Sequence, residues 1–346
     1  MSKISKIILI VLFILLTASG CIKIEKGSLD GGVYKSVDGA GQWKQKTVLL
    51  SLPQESNPLD NVDTTLLVFD PQDTGTIYLG TEKDSLFVSF DAAESWERVR
   101  RLPPGKINAV AVDPKAKHIV YVAVENRIFK TKDANRTWEN VYLEAMPNVE
   151  IISLAINHLF SNVVYAGLSD GRLIKSENSG DSWMNLHNFE GEVKQILINP
   201  SNAQIIYLLA RGKGVYRSEN QGLTWVSLKE NYQRGNAEYL VFNPNFSDTV
   251  IIICDNGILH SENGGANWSE YKLVSSNREL KLYSLAIDPQ NPDILYYTAK
   301  KTIYKSVDGG ENWITRPNPS KRGPIKILID PVNPNVIYLG MVKIEE

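Results

Sequence analysis

The sequence predicts an all-β fold: a seven-bladed β-propeller of four-stranded antiparallel blades. Three observations carry this. The segment Thr302 to Trp313, TIYKSVDGGENW, contains the spacing S-x-D-x-G-x-x-W and returns, with decay, six more times. All seven tryptophans close one copy each, and their spacings are 53, 42, 45, 42, 43 and 45 residues. A fixed period of that size with short strands and regular turns is the mark of a propeller. The third observation is that the half-repeats at the two ends of the chain complement each other.

The chain opens on a targeting segment, residues 1–20. Lys3 and Lys6 precede a ten-residue apolar core, Ile7 to Leu16, too short to span a bilayer. Ala18-Ser19-Gly20-Cys21 then resembles a bacterial lipoprotein signal, which implies cleavage before Cys21 and lipidation of its thiol. Residues 21–31 form a short tether of at most roughly 35 Å. The expected location is therefore a cell membrane or outer membrane, lipid-anchored and facing the periplasm or extracytoplasmic space. The other cysteine, Cys254, ends an apolar run and reads as a small buried hydrophobe, so no disulfide framework is expected.

The propeller is expected over residues 32–346. It starts with a hairpin, Gly32–Leu50, whose turn carries Ser36, Asp38 and Trp43. The later copies are Ser89, Asp91, Trp96; Thr131, Asp133, Trp138; Ser176, Asn178, Trp183; Ser218, Asn220, Trp225; Ser261, Asn263, Trp268; and Ser306, Asp308, Gly310, Trp313. Each follows an alternating apolar run such as Gly214-Val215-Tyr216-Arg217-Ser218, which reads as a strand. The Asp or Asn side chain accepts hydrogen bonds from its own turn. Glycine at the fifth position of four copies supplies a positive φ. Asn in three copies suits a turn and disfavours a metal site, so no metal is expected.

Before each such hairpin comes an apolar strand, usually an Asp/Asn-Pro turn, and a second apolar strand. Leu67-Val68-Phe69-Asp70-Pro71 with Ile77-Tyr78-Leu79 is the first. These are strands A and B of a blade, and the hairpin is C and D. The chain begins with a C–D hairpin and finishes with an A–B half, Ile325–Gly340. Joined, they complete a seventh blade and close the ring, which removes sheet edges.

These hairpins resemble the Asp-box of the BNR repeat, found in sialidases, sortilin-type receptors, some glucanases and the photosystem II stability/assembly factor family. The overall resemblance is to that last family: seven Asp-box blades, the turns Asp288-Pro289-Gln290-Asn291-Pro292 and Asp330-Pro331-Val332-Asn333-Pro334, an export signal with a candidate lipid anchor, and an arginine-rich face. The resemblance implies a non-enzymatic scaffold for a membrane-protein partner.

The predicted topology sorts the loops. A–B turns and Asp-box turns share one face, which is acidic. B–C and D–A loops share the other and hold ten of the twelve arginines. Arginine suits bidentate recognition of carboxylates and phosphates. Arg100, Arg101, Arg127, Arg172, Arg211 and Arg322 are the candidate partner-binding residues. The same loops carry Glu82, Asp84, Glu125, Asp170, Glu190 and Glu192, so a solvated, self-neutralised face is the competing reading.

A net charge of −2 argues against a strongly basic nucleic-acid binder. No HxxxH, CxxC, phosphate-binding glycine loop or nucleophile elbow occurs, and the four histidines read as surface turn residues. No catalytic residue or cofactor is assigned. The expected function is a monomeric, lipid-anchored propeller that binds a protein partner at a membrane. The alternative is a glycan-binding or glycoside-hydrolysing propeller using carboxylates of the B–C loops, Asp84, Glu125 or Asp170.

Overall fold

A computed structural model describes residues 29–50, 58–232, 235–243, 246–255, 257–274 and 281–344. Cys21 and the targeting segment lie outside the described residues, as do Arg234 and Arg278. Among the described residues, 28 strands form seven four-stranded antiparallel sheets. Six are continuous in sequence. Their A strands are Thr64–Asp70 (blade II), Ile107–Val112 (III), Ile151–Ile156 (IV), Val193–Ile198 (V), Ala237–Asn243 (VI) and Leu282–Ile287 (VII). Blade I is shared by the two ends. Gly323–Ile329 and Ile337–Val342 provide strands A and B, and Gly32–Ser36 and Lys44–Lys46 provide C and D.

The closing seam is a full strand pairing. Gly32 to Ser36 run antiparallel to Met341 to Ile337, with Tyr34 opposite Leu339. The A strands neighbour one another around the ring, including blade I against both VII and II. Helix is confined to a 3-10 turn, Pro58–Asp60, and a single turn, Lys229–Tyr232, among the described residues.

Each Asp-box is a self-satisfied turn. In every copy the Ser or Thr hydroxyl donates to the Asp or Asn carbonyl or carboxyl oxygen two residues on, at 2.8–3.0 Å. The same oxygen accepts the N–H of the seventh position, as from Thr137 to Asp133 and from Ser182 to Asn178. Asn and Asp copies share this geometry, so the turn needs an acceptor and not a charge. The turn is also tied to the A–B corner of its own blade: the fourth residue donates its N–H to that corner, as Ala134 does to the carbonyl of His118. The two turn types therefore share one face, as the topology predicts.

Each tryptophan packs toward the preceding blade. Trp96 is fully buried and its indole N–H donates to the carbonyl of Lys46 in blade I at 3.0 Å. Trp183 and Trp313 reach Val141 and Lys272 of their preceding blades in the same way. Trp225 and Trp268 turn the N–H to their own Gly222 and Gly265.

Candidate functional site

A second tie between blades was not read from the sequence. The strand-B tyrosine of one blade bonds the Asp-box turn of the next. The hydroxyls of Tyr121, Tyr165 and Tyr207 donate to the carbonyls of Ser179, Gln221 and Gly264 at 2.8–3.1 Å. Tyr338 reaches Ala92 across the seam between blades I and II. The residue before the box serine lies opposite this tyrosine in strand C, with its cation over the ring: Lys35 over Tyr338, Lys130 over Tyr121, Lys175 over Tyr165, Arg217 over Tyr207 and Lys305 over Tyr296. The sequence signal is a recurrent Lys or Arg immediately before the box Ser or Thr. These side chains hold the Asp-box face together. Several of its acidic residues are engaged as well: Glu94 with Lys35 and Lys46, Glu177 with Lys175, Glu219 with Arg217, and Glu311 with Lys272.

The opposite face separates the six candidate arginines into three groups. Arg322 is only 8% exposed and works inside the seam. Its guanidinium bonds Asp63 at 2.7 Å, the carbonyl of Val62, and Asn61, and it lies 3.6 Å from Asp30. That arginine joins the first described residues to the last blade and is not offered to a partner. Its burial could not be read from its place in a D–A loop, because its partners lie about 260 residues away.

Arg172 and Arg211 are ion-paired within the face. Arg172 donates to Asp170 at 2.7 Å and reaches Glu144 at 2.8 Å. Glu144 is buried and also accepts the Tyr142 hydroxyl and the Met146 N–H. Burial opposes its ionisation, yet these donors and Arg172 outweigh it and hold its carboxyl below the ordinary value. Arg211 pairs with Glu192 at 2.8 Å, and Lys213 with Glu190 at 2.6 Å. For this part of the face the self-neutralised reading describes the geometry.

Arg100, Arg101 and Arg127 are different. All three are exposed, and none has an ion pair among the described residues. Arg100 and Arg101 lie in the loop from blade II to blade III, and Arg127 opens strand C of blade III. Arg101 sits at φ +64° and Glu125, in the adjoining B–C turn, at φ +52°. A non-glycine residue in the left-handed region carries a conformational cost that the surrounding structure must hold in place. The Glu125 turn is pinned on both sides: its N–H donates to Lys106 and its carbonyl accepts from Ile151.

The same face bears a cavity of 510 Å³ between blades I and II. It is lined by Asn61, Asp63, Glu82, Lys83, Asp84, Lys321, Arg322, Lys343 and Ile344. Of the carboxylates named for glycan chemistry, Asp84 lies in this wall, Asp170 is neutralised by Arg172, and Glu125 stands in the blade III turn. Only Asp84 of the three lines this cavity. The histidines divide: His118 and His158 are in turns, while His187 lies in a strand and His260 stacks on Tyr271 at 4.5 Å. Those last two are packing residues, contrary to their reading as turn residues. Among the described residues, no group of three His, Cys, Asp or Glu side chains is placed to hold a metal ion.

These features define the class. The chain is a seven-bladed propeller whose blades each carry an Asp-box turn. Residues 171–270 match the Sortilin-Vps10 family model, described as sortilin, neurotensin receptor 3. A xyloglucanase of Acetivibrio thermocellus is 24% identical over 263 residues, covering 71% of this chain and 26% of that protein. The xyloglucanase structure of Xanthomonas campestris superposes with a TM-score of 0.67 at 16% identity, over 81% of this chain and 51% of that one. YCF48 bound to a D1 peptide superposes with a TM-score of 0.62 at 17% identity, over 81% of this chain and 93% of that one. This chain thus spans about half the length of the xyloglucanase structure. At these identities the superpositions establish the fold.

Proposed function

We propose that this chain is a lipid-anchored propeller outside the cytoplasm that binds a carboxylate-bearing segment of a protein partner at the membrane, as an assembly or stability scaffold. The observation that carries the reading is the contrast among the candidate arginines. Three are engaged by the fold or its own carboxylates, whereas Arg100, Arg101 and Arg127 are exposed on one face with no ion pair among the described residues. Exposed arginines suit planar bidentate pairing with carboxylates, and such groups are favoured at interfaces. The structure of YCF48 with a peptide is a propeller of this fold carrying a protein segment. The lipid anchor rests on Lys3, Lys6, the apolar core and Cys21.

The test is crosslinking pull-down from membranes with wild type and an R100E/R101E/R127E variant of unchanged melting temperature. A partner lost only in the variant supports the reading. An identical set of partners returns these arginines to solvated surface.

A second reading is glycan hydrolysis, favoured by the similarity to xyloglucanases and by Glu82 and Asp84 in the cavity wall. Glycosidases use two carboxyl groups flanking one bond. Turnover of a xyloglucan oligosaccharide that disappears in E82Q or D84N would carry it.

A further inference from the structure

The cavity at the seam lies where the N-terminal segment leaves the ring. Asp30 is fixed there: its side chain accepts the N–H of Lys321 at 2.8 Å and the hydroxyl of Ser320, and Gly31 donates to the carbonyl of Asp60. The C-terminal end of blade I meets the same spot, with the Lys343 N–H donating to Asp63 at 2.6 Å. Both lysines are therefore placed by their backbone, and both line the cavity. Lys83 joins them from the B–C turn of blade II.

The charges in this wall do not cancel. Arg322 is matched by Asp63 and Asp30, and Glu82 faces Lys106 at 3.5 Å. Lys83, Lys321 and Lys343 are exposed and have no ion pair among the described residues, against one wall carboxylate likewise without an ion pair there, the half-buried Asp84. Three such lysines lining one open cavity suit a compact, multiply hydrogen-bonding anion.

We infer that this cavity binds a phosphate group, and that its source is the headgroup of an anionic phospholipid. The choice of source rests on the lipid-anchor reading. Asp30 lies nine positions after Cys21, a reach of about 30 Å when extended. A chain anchored at Cys21 thus keeps this cavity within reach of the bilayer surface, where clustered lysines are attracted to anionic lipid. Occupation would turn the arginine-bearing face toward the membrane and confine partners to segments close to it.

The experiment uses the intact protein in a neutral maltoside detergent, with lipidation of Cys21 read by intact mass in the same sample. Calorimetric titration compares dihexanoyl phosphatidylglycerol, dihexanoyl phosphatidylcholine and inorganic phosphate. Saturable binding of the phosphatidylglycerol is expected, weakened about tenfold or more in K83Q/K321Q/K343Q. Melting of that variant should be unchanged, because the bonds of Lys321 and Lys343 to the seam are made by backbone. The R100Q/R101Q/R127Q variant should bind the lipid within about twofold of wild type, which separates this site from the partner surface. Absence of saturable binding, or equal binding by the lysine variant, overturns the phosphate site. Inorganic phosphate binding as tightly as the lipid would overturn the lipid source and leave a soluble phosphate as the ligand. A chain that binds the lipid without mass at Cys21 would support the site and remove the anchor.

Discussion

The hydroxyl of Tyr121 donates to the carbonyl of Ser179 at 2.8 Å, joining strand B of blade III to the Asp-box turn of blade IV. Lys130, opposite Tyr121 in strand C, donates to the same carbonyl at 2.6 Å. Burial pushes the Tyr121 hydroxyl well above its ordinary pKa, so it remains a donor at all working pH values. Tyr121→Phe should cost about 1 kcal/mol, and a fall in Tm of roughly 2 °C measured by calorimetry. The loss is modest because Lys130 still satisfies Ser179. Removing both donors should cost more than the two single changes added, and simple additivity would show that they act separately.

Ring closure depends on Arg322. Its removal leaves Asp30 and Asp63 partly buried without their cation. Arg322→Ala should destabilise by about 3 kcal/mol, and Arg322→Lys by less, since an ammonium restores charge and not the fork. Deleting residues from Ile325 onward removes strands A and B of blade I and should abolish cooperative unfolding. An unchanged melting transition in that truncation would refute closure by the two ends.

Acid should loosen the box face first. Asp38 and Asp308 are held below the usual carboxylate range chiefly by the N–H groups of Gln42 and Asn312. Asp133 is held down to about 2, chiefly by the Thr137 hydroxyl and N–H. A folded pKa below the unfolded one gives stability that is present above the unfolded value, about 4, and is lost as pH falls toward the folded value. Wild type should therefore lose stability between about pH 4 and pH 2. Asn178, Asn220 and Asn263 accept the same bonds without ionising. An Asp38→Asn/Asp133→Asn/Asp308→Asn variant should fold and show a shallower acid transition by circular dichroism. An identical acid midpoint would mean that these carboxylates contribute nothing through ionisation.

What was legible in the sequence was local or periodic. The box spacing, the paired half-repeats and the missing halves at each end each lie within a window of about one repeat, and together they fix seven blades and their closure. Cys254, placed at the end of an apolar run, is 1% exposed as expected. The candidate site was legible only to the level of which face a loop joins. Whether an arginine there is free depends on contacts that topology alone does not name. Arg322 meets residues at the far end of the chain, and Arg172 meets Glu144 across one blade boundary. The cavity lysines were hidden for the same reason, since Lys83, Lys321 and Lys343 come from three loops.

Blade spacing is tested at Gly167, in strand B of blade IV (Val164–Leu168). A Cβ there would fall 2.3 Å from Val193 Cγ1 in strand A of blade V and 2.4 Å from Ser153 Oγ. Gly80 and Gly340 face the same crowding from Ile107 of blade III and Thr64 of blade II, at 3.0 and 2.6 Å. Strand A of each following blade leans onto these glycines, so a side chain must push two blades apart. Gly167→Val should cost about 3 kcal/mol through overpacking, a fall in Tm of roughly 5–6 °C. Gly212 is the control: its φ is +68° and nothing lies within 4 Å of the added Cβ. Gly212→Ala should cost only the conformational strain, about 1 kcal/mol. If the two variants melt together, the close approach of blades IV and V at Gly167 is wrong.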